Sequence, residues 1–340
     1  MKSLTDALVI TALLLTGCTQ KVDTGPAGEV WPATEDQQRV WPEPPAPPRI
    51  RFLRSIASAA DLGFKVPSME RFFEFVVGKE DLRLTRPYGM AVKGRLLAIA
   101  DPGAAAVHFL DLEGQFYKRI STVGTTDLLS PIGIAIVDDY VFVSDSALNK
   151  VFVLDLEGEL IRELDGLRRP TGLAYDPATQ RLYVAETLAH RIGVFNLDGT
   201  RLFDIADPDE GEQVFNAPTH IAFRDGVLLI NDTMNFRVVA MDGNGHHLWS
   251  FGTHGTGSGH FSQVKGVDID SRGNIYVADA IFNRVQIFDK RGQFLLAFGD
   301  PGHGRGDLWL PAGVFIAGDQ IFVADSQNRR VQVFEHLGGE

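Results

Sequence analysis

Histidine is the residue through which this chain could do chemistry. Of nine histidines, His190, His220, His254, His260 and His303 fall in or beside loops that also carry glycine and aspartate. Three imidazoles converging on one point would hold zinc and activate a water molecule, so a metal-dependent lyase or hydrolase is the enzyme alternative that the residue types allow. Acidic residues recur as well, at Asp101, Asp145, Glu186, Asp232, Asp279 and Asp325. Catalysis needs one asymmetric site, whereas these acids repeat at nearly equal spacing. They are expected to be structural, fixing a loop to a strand by hydrogen bonds and ion pairs. The glycine-rich runs at 255–259 and 302–306 are followed by no helical pattern, so the basis for cradling phosphate is missing. There is no G-x-S-x-G elbow, and the single cysteine, Cys18, leaves covalent catalysis without a candidate nucleophile. The expectation is therefore no cofactor, with zinc or calcium as the alternative, and no catalytic residue.

Composition narrows the classes further. With 44 acidic against 32 basic side chains the formal charge is −12, which argues against a nucleic-acid partner. Asp207, Asp209, Glu210 and Glu212 crowd a single loop. One cysteine excludes an internal disulfide framework, a cysteine-rich zinc finger, an iron–sulfur cluster and a C-x-x-C-H haem site. The 35 glycines, 23 phenylalanines and regularly spaced turns fit a folded, β-rich protein.

The elements that position these residues repeat. Each acid closes a strand-like segment, and the spacing between acids averages about 45 residues. Five positions after the acid comes Ala106, Lys150, Arg191, Arg237, Arg284 or Arg330, followed at once by Val or Ile. Each unit opens on a Pro-x-Gly-like step: Pro87-Tyr88-Gly89, Pro131-Ile132-Gly133, Pro170-Thr171-Gly172, Pro218-Thr219-His220, Val264-Lys265-Gly266 and Pro311-Ala312-Gly313. Within 266–298, period-two alternation and the turn glycines Gly273 and Gly292 give four strands, at 267–269, 275–279, 284–289 and 294–298. Four short antiparallel strands in every unit make a propeller blade.

Asn274-Ile275-Tyr276-Val277-Ala278-Asp279 followed by Asn283-Arg284-Val285-Gln286-Ile287-Phe288 closely resembles the NHL repeat, as does Ile321 to Phe334 and, more loosely, Val141 to Leu154. The resemblance covers 86–336. It departs in the first unit, where Ala106 replaces the basic residue, and in the fourth, where His220 replaces glycine. It implies an all-β, six-bladed β-propeller. Some NHL propellers, the peptidyl-hydroxyglycine amidating lyases, use histidines as metal ligands, but their pattern repeats a histidine after the proline of several blades, and here one blade has any near that place.

The sixth unit stops after its third strand. The alternating segment 49–56 precedes the first unit and can supply the missing fourth strand, closing the ring and removing open edges. Propeller connectivity puts the fourth-to-first and second-to-third loops on one face, where the long connections 206–217, 252–263 and 299–310 lie, so this is the expected binding face. Tyr88, Thr171, Thr219, His220 and Lys265, at the opening steps of their units, are the candidate binding rim. In 57–85, Met69, Phe72, Phe73, Val76 and Val77 fall on one helical face, between Ser68 as a cap and Gly78 as a stop, which predicts a short amphipathic helix packed over the propeller.

Ahead of the propeller, residues 1–17 read as a secretory signal: Lys2, an apolar run from Ala7 to Leu15, then small residues. Leu15-Thr16-Gly17-Cys18 resembles the lipobox of bacterial lipoproteins. The resemblance implies cleavage before Cys18, lipid attachment to it and a membrane-anchored protein, with Thr19 rather than aspartate pointing to the outer membrane. Residues 18–48 hold Pro26, Pro32, Pro42, Pro44, Pro45, Pro47 and Pro48 and read as an extended tether. Val30-Trp31-Pro32 and Val40-Trp41-Pro42 repeat within it, and exposed tryptophans are costly enough to predict docking on the folded domain. The expectation is a lipid-anchored, non-enzymatic propeller in the cell envelope that presents its loop-rich face to a protein or glycan partner, with no nucleic acid bound.

Overall fold

Each alternating segment of the repeat pairs with the next in an antiparallel ladder, and six such ladders arrange around a central channel. The structure is a computed structural model that describes residues 39–63, 83–114, 116–205 and 215–338. The amphipathic segment expected at 68–78, the signal, Cys18 and the acidic loop residues Asp207 to Glu212 lie outside the described residues.

Blades 1 to 5 are four-stranded sheets whose strands follow chain order from the channel outward. In blade 5 these are Val264–Ile269, Ile275–Asp279, Arg284–Phe288 and Phe294–Phe298. The inner strand begins three residues earlier than the alternation suggests. A bulge skips Lys265 and Gly266 between the pairs Val264↔Asp279 and Val267↔Val277, and so breaks the period.

Blade 6 combines the two ends of the chain. Val314–Ala317, Gln320–Asp325 and Arg330–His336 are its first three strands, and Ile50–Ile56 is the fourth, running from Ile50↔His336 to Ile56↔Val331. The expected closing strand is thus in place, and the open edge is removed. A fifth strand then covers it: Val40–Trp41 pairs with Arg51 and Ile50. The end of the proline-rich segment is therefore part of the sheet. Trp41 is buried, with its ring 5.6 Å from Phe334 and 6.0 Å from Phe298. Arg39, stacked over Trp41, reaches Asp300 at 2.6 Å and Asp307 at 2.5 Å.

The core lies between blades. One apolar cluster joins Ala98, Val107 and Phe109 of blade 1 to Val141, Val143 and Phe152 of blade 2. Equivalent clusters occupy the other five contacts around the ring, including the blade 6 to blade 1 contact built on Ile56, Phe322, Val331, Leu97 and Ile99. A strand sandwiched between two neighbouring blades is buried on both faces, which is why the second and third strands of each unit are almost continuously apolar.

Two backbone features repeat with the blades. Ala105, Asn149, His190, Phe236, Asn283 and Arg329, four residues after each acid, all have φ between +47° and +58°. A left-handed residue immediately precedes every third strand. His190 is thus a recurrent corner residue. The second feature is the glycine of the Pro-x-Gly step. A Cβ on Gly89 would lie 2.2 Å from the Ile132 carbonyl oxygen, on Gly133 2.0 Å from that of Thr171, and on Gly313 2.2 Å from that of Tyr88. Neighbouring inner strands approach so closely here that a side chain between them does not fit.

Candidate functional site

The glycine ring pinches the central channel and leaves a cavity on each side. On the loop-rich face a mouth of about 250 Å³ is lined by Tyr88, Ile132, Lys265 and Ala312, the middle residues of four opening steps, together with Arg86, Ser130, Gln263 and Gln327. Below the ring a cavity of about 430 Å³ runs along the inner strands to Pro177, Arg224 and Asp268.

The repeated acids make the mouth rigid. Each is fully buried, and each takes backbone N–H groups from the loop that opens its own blade. Asp145 accepts from Leu129 and Ser130 at 2.8 and 2.9 Å, Asp279 from Ser262 at 2.7 Å, and Asp325 from Trp309 at 2.7 Å. A carboxylate with several N–H donors satisfies loop groups that would otherwise be buried unpaired. The basic residue five positions on completes an ion pair in blades 3, 4 and 6, with Arg191–Glu186 at 3.2 Å, Arg237–Asp232 at 2.8 Å and Arg330–Asp325 at 2.7 Å.

The other blades depart from this pairing. Lys150 turns to Glu163 and Asp165. In blade 5, Nε and Nη2 of Arg284 are buried without a partner among the described residues, its guanidinium lying over the Phe282 ring at 4.8 Å. In blade 1, with Ala106 in the basic position, the buried His108 stands 3.5 Å from Asp101 and binds the Tyr117 hydroxyl at 2.9 Å. Burial pushes the Asp101 carboxyl up, but His108 and the N–H groups of Thr85 and Arg86 outweigh it and hold it below its ordinary value.

Of the five rim residues expected from the sequence, Tyr88 and Lys265 line the mouth, His220 lines the cavity below it, and Thr171 and Thr219 line neither. Tyr88 of blade 1 and His220 of blade 4, on opposite sides of the ring, stack across the channel with centroids 5.2 Å apart and planes 25° from parallel. Lys265 Nζ lies 3.2 Å from the Tyr88 hydroxyl and 5.6 Å from its ring centre. Thr219 Oγ1 is 2.6 Å from Thr233 Oγ1 and 3.4 Å from His220 Nδ1. Thr171 is buried, and its hydroxyl donates to the Thr219 carbonyl at 2.8 Å, beside Thr187 Oγ1 at 2.9 Å. Thr171 and Thr219 brace the step, while Tyr88 and Lys265 line the opening.

His220 is the unusual member. It occupies the position that is glycine in the other five blades, and its side chain faces the lower cavity. Its Nε2 is out of solvent contact and has no hydrogen-bond partner among the described residues. Burial, with Lys265 adding to it, lowers the imidazole pKa to about 3, so the ring is neutral at physiological pH.

The other four histidines are dispersed. His190 Nδ1 accepts the Ala217 N–H at 3.1 Å, His254 packs on Phe236, His260 contacts the Ser258 carbonyl, and His303 binds Asn328 at 2.6 Å while meeting Trp309 edge-on. Among the described residues, no three His, Cys, Asp or Glu side chains are grouped as a metal site.

Sequence reasoning missed Asp268. It stands two residues after the blade 5 glycine, where blades 1 to 4 have Ala91, Ala135, Ala174 and Ala222. Asp268 lies in the lower cavity and accepts the Ile316 N–H at 2.6 Å and the Ile269 N–H at 2.8 Å. Burial pushes its carboxyl up to about 6 against the lowering pull of these N–H groups and of Arg224. A carboxylate in an alanine column was the available signal.

No protein-family model matches the chain. Two NHL-repeat proteins match part of it: Protein brain tumor of Drosophila melanogaster, 34% identical over 91 residues, and Protein lin-41 of Caenorhabditis elegans, 40% identical over 86 residues. These matches take in 26% and 25% of this chain, and the chain spans only 9% and 7% of those proteins' lengths. Among solved structures, a catalytically inactive variant of virginiamycin B lyase from Staphylococcus aureus aligns with a TM-score of 0.56 at 18% identity, over 74% of this chain and 96% of that one. A chain of a nidogen/laminin complex aligns at 0.53 and 20% identity, over 71% and 86%. At such identities the likeness is one of fold. The chain is a six-bladed β-propeller with NHL-repeat relatives over about a quarter of its length.

Proposed function

We propose that this protein is a lipid-anchored, non-enzymatic scaffold of a bacterial cell envelope, and that it captures a partner protein at the mouth on its loop-rich face. The observation that carries the reading is the convergence of Tyr88 and Lys265 from two blades on one opening, with the His220 ring of a third blade stacked under Tyr88, over a frame whose acids and threonines are already hydrogen-bonded. A rigid frame with an unsaturated opening suits recognition, because little ordering is needed when a partner arrives. The neutral His220 has the Tyr88 ring on one side and, among the described residues, no carboxylate partner. That arrangement favours packing over proton transfer.

Anchoring rests on Leu15-Thr16-Gly17-Cys18 after the apolar run. Stable attachment takes more than one acyl chain, which a diacylglyceryl group on Cys18 supplies. Labelled fatty acid should be incorporated into the wild-type chain and lost in Cys18→Ala; equal labelling of both would refute the anchor. For the mouth, Tyr88→Ala and Lys265→Glu should weaken partner capture without lowering the melting temperature. Near-stoichiometric zinc or calcium in the purified full chain, lost in His220→Ala, would contradict the binding reading in favour of metal chemistry.

A further inference from the structure

We propose, resting on the reading of the mouth as a site for a partner protein, that the group held there is a carboxylate carried on an apolar stretch of that partner. The first observation is charge. The protein carries −12 in total, yet the ionised side chains lining the mouth are Arg86 and Lys265, both cationic. Neither has a carboxylate partner among the described residues: Lys265 Nζ faces the hydroxyl and ring of Tyr88, and the hydrogen bond Arg86 makes to Asp101 comes from its backbone N–H. The described carboxylates of the surrounding loops are already taken. The six repeat acids are buried, Asp165 is engaged by Lys150, and Asp300 and Asp307 by Arg39. Two cations without a counter-ion among the described residues, at the neck of a cavity, form a receptor for an anion.

The second observation is the rim. Leu129, Ile281 and Trp309 are exposed, and the residues next to them in the chain, Ser130, Ala280 and Leu310, line the mouth. Leu188 and Met234, at the position equivalent to Ile281 in blades 3 and 4, are exposed too. Large apolar side chains from five blades therefore surround the cationic neck. Apolar groups grouped around one opening mark a contact surface, whereas scattered ones would not. Four of the five, Leu129, Leu188, Met234 and Ile281, are branched or flexible aliphatics that grip apolar side chains of a peptide, and Trp309 is the one flat face of the five on which a sugar ring could stack. An Asp or Glu side chain, or a chain terminus, flanked by large apolar residues complements both features at once.

The test is selection of random peptides displayed on phage against the immobilised full chain, followed by fluorescence anisotropy of the best binder and of its carboxamide counterpart. The expected result is enrichment of acidic residues beside large apolar ones, with binding that weakens as salt is raised. Neutralising the peptide acid, or making Lys265→Gln with Arg86→Gln, should each cost about tenfold in affinity. Lys265→Arg, which keeps the charge, should retain most of it. Because neither cation has a carboxylate partner among the described residues, the melting temperature of these variants should not change, which separates lost binding from lost structure. Selected peptides without an acid, still sensitive to Tyr88→Ala, would overturn the carboxylate proposal while leaving the mouth as a partner site. Displacement of the peptide by an oligogalacturonate more readily than by a second peptide would replace the protein partner by an acidic glycan. Enrichment indifferent to every mouth substitution, or none above background, would overturn both readings.

Discussion

At Tyr88 and His220 two side chains from opposite blades meet over the channel, and the acid–base state of one of them leaves a measurable trace in stability. Unfolded His220 takes up a proton near its ordinary 6.5, whereas the folded ring resists until about 3. The unfolded state therefore binds more protons in that window, so this residue's contribution is fully present above pH 6.5 and is lost as pH falls from there toward 3. Wild type should lose stability on acidification from pH 7 to pH 4.5, and His220→Gln should lose less; identical slopes in a denaturant series would contradict the buried, neutral ring. Asp268 works in the opposite sense. Its folded pKa of about 6 lies above the ordinary 3.8, so the folded state binds more protons between those values and stability falls as pH rises through them. Wild type should lose melting temperature from this group between pH 3.5 and pH 7.5, and Asp268→Asn, whose amide NH2 faces one of the two N–H donors at every pH, should show a smaller loss across that range; equal losses would contradict the raised carboxyl. His220 was legible as a break in the glycine column. Asp268 breaks the alanine column as plainly but drew no attention, because both faces of a propeller strand are buried and alternation does not tell which positions meet the channel.

At the scale of the element, the closing strand was legible and the strand that covers it was not. The sixth repeat lacks its fourth strand while 49–56 alternates and has no other partner, so pairing with Arg330–His336 follows from the count of strands. Val40–Trp41 is two residues long and stopped at once by Pro42, too short to show any period. What commits it to the sheet is tertiary: Trp41 fills a space beside Phe298 and Phe334, and Arg39 is held by two aspartates of the loop that follows blade 5. Replacing a buried tryptophan by alanine costs about 3–5 kcal/mol. Trp41→Ala should lower stability in that range, whereas Arg39→Gln, at a partly exposed pair of bridges to Asp300 and Asp307, should cost about 1 kcal/mol. An unchanged denaturation midpoint for Trp41→Ala would mean that the segment lies against the blade without stabilising it.

For the whole molecule, the fold was readable because six copies of one pattern report the same architecture, and errors in one copy are corrected by the others. Function has no such redundancy. A mouth is made by the differences between blades, and the sequence shows Tyr88, His220 and Lys265 as isolated exceptions whose meeting depends on ring closure over blades far apart in the chain. The central claim is that the loop-rich face, and not the opposite one, engages a protein. The direct measurement places a photoreactive amino acid at Ile281 or Trp309 on the loop-rich face, and at Asp139 or Gln180 in the exposed turns of the other face, and crosslinks in intact cells of the native source. The account predicts a discrete protein adduct from Ile281 and Trp309 that disappears with Lys265→Gln and Arg86→Gln, and none from Asp139 or Gln180. Adducts of equal yield from both faces, or from the turn face alone, would contradict it.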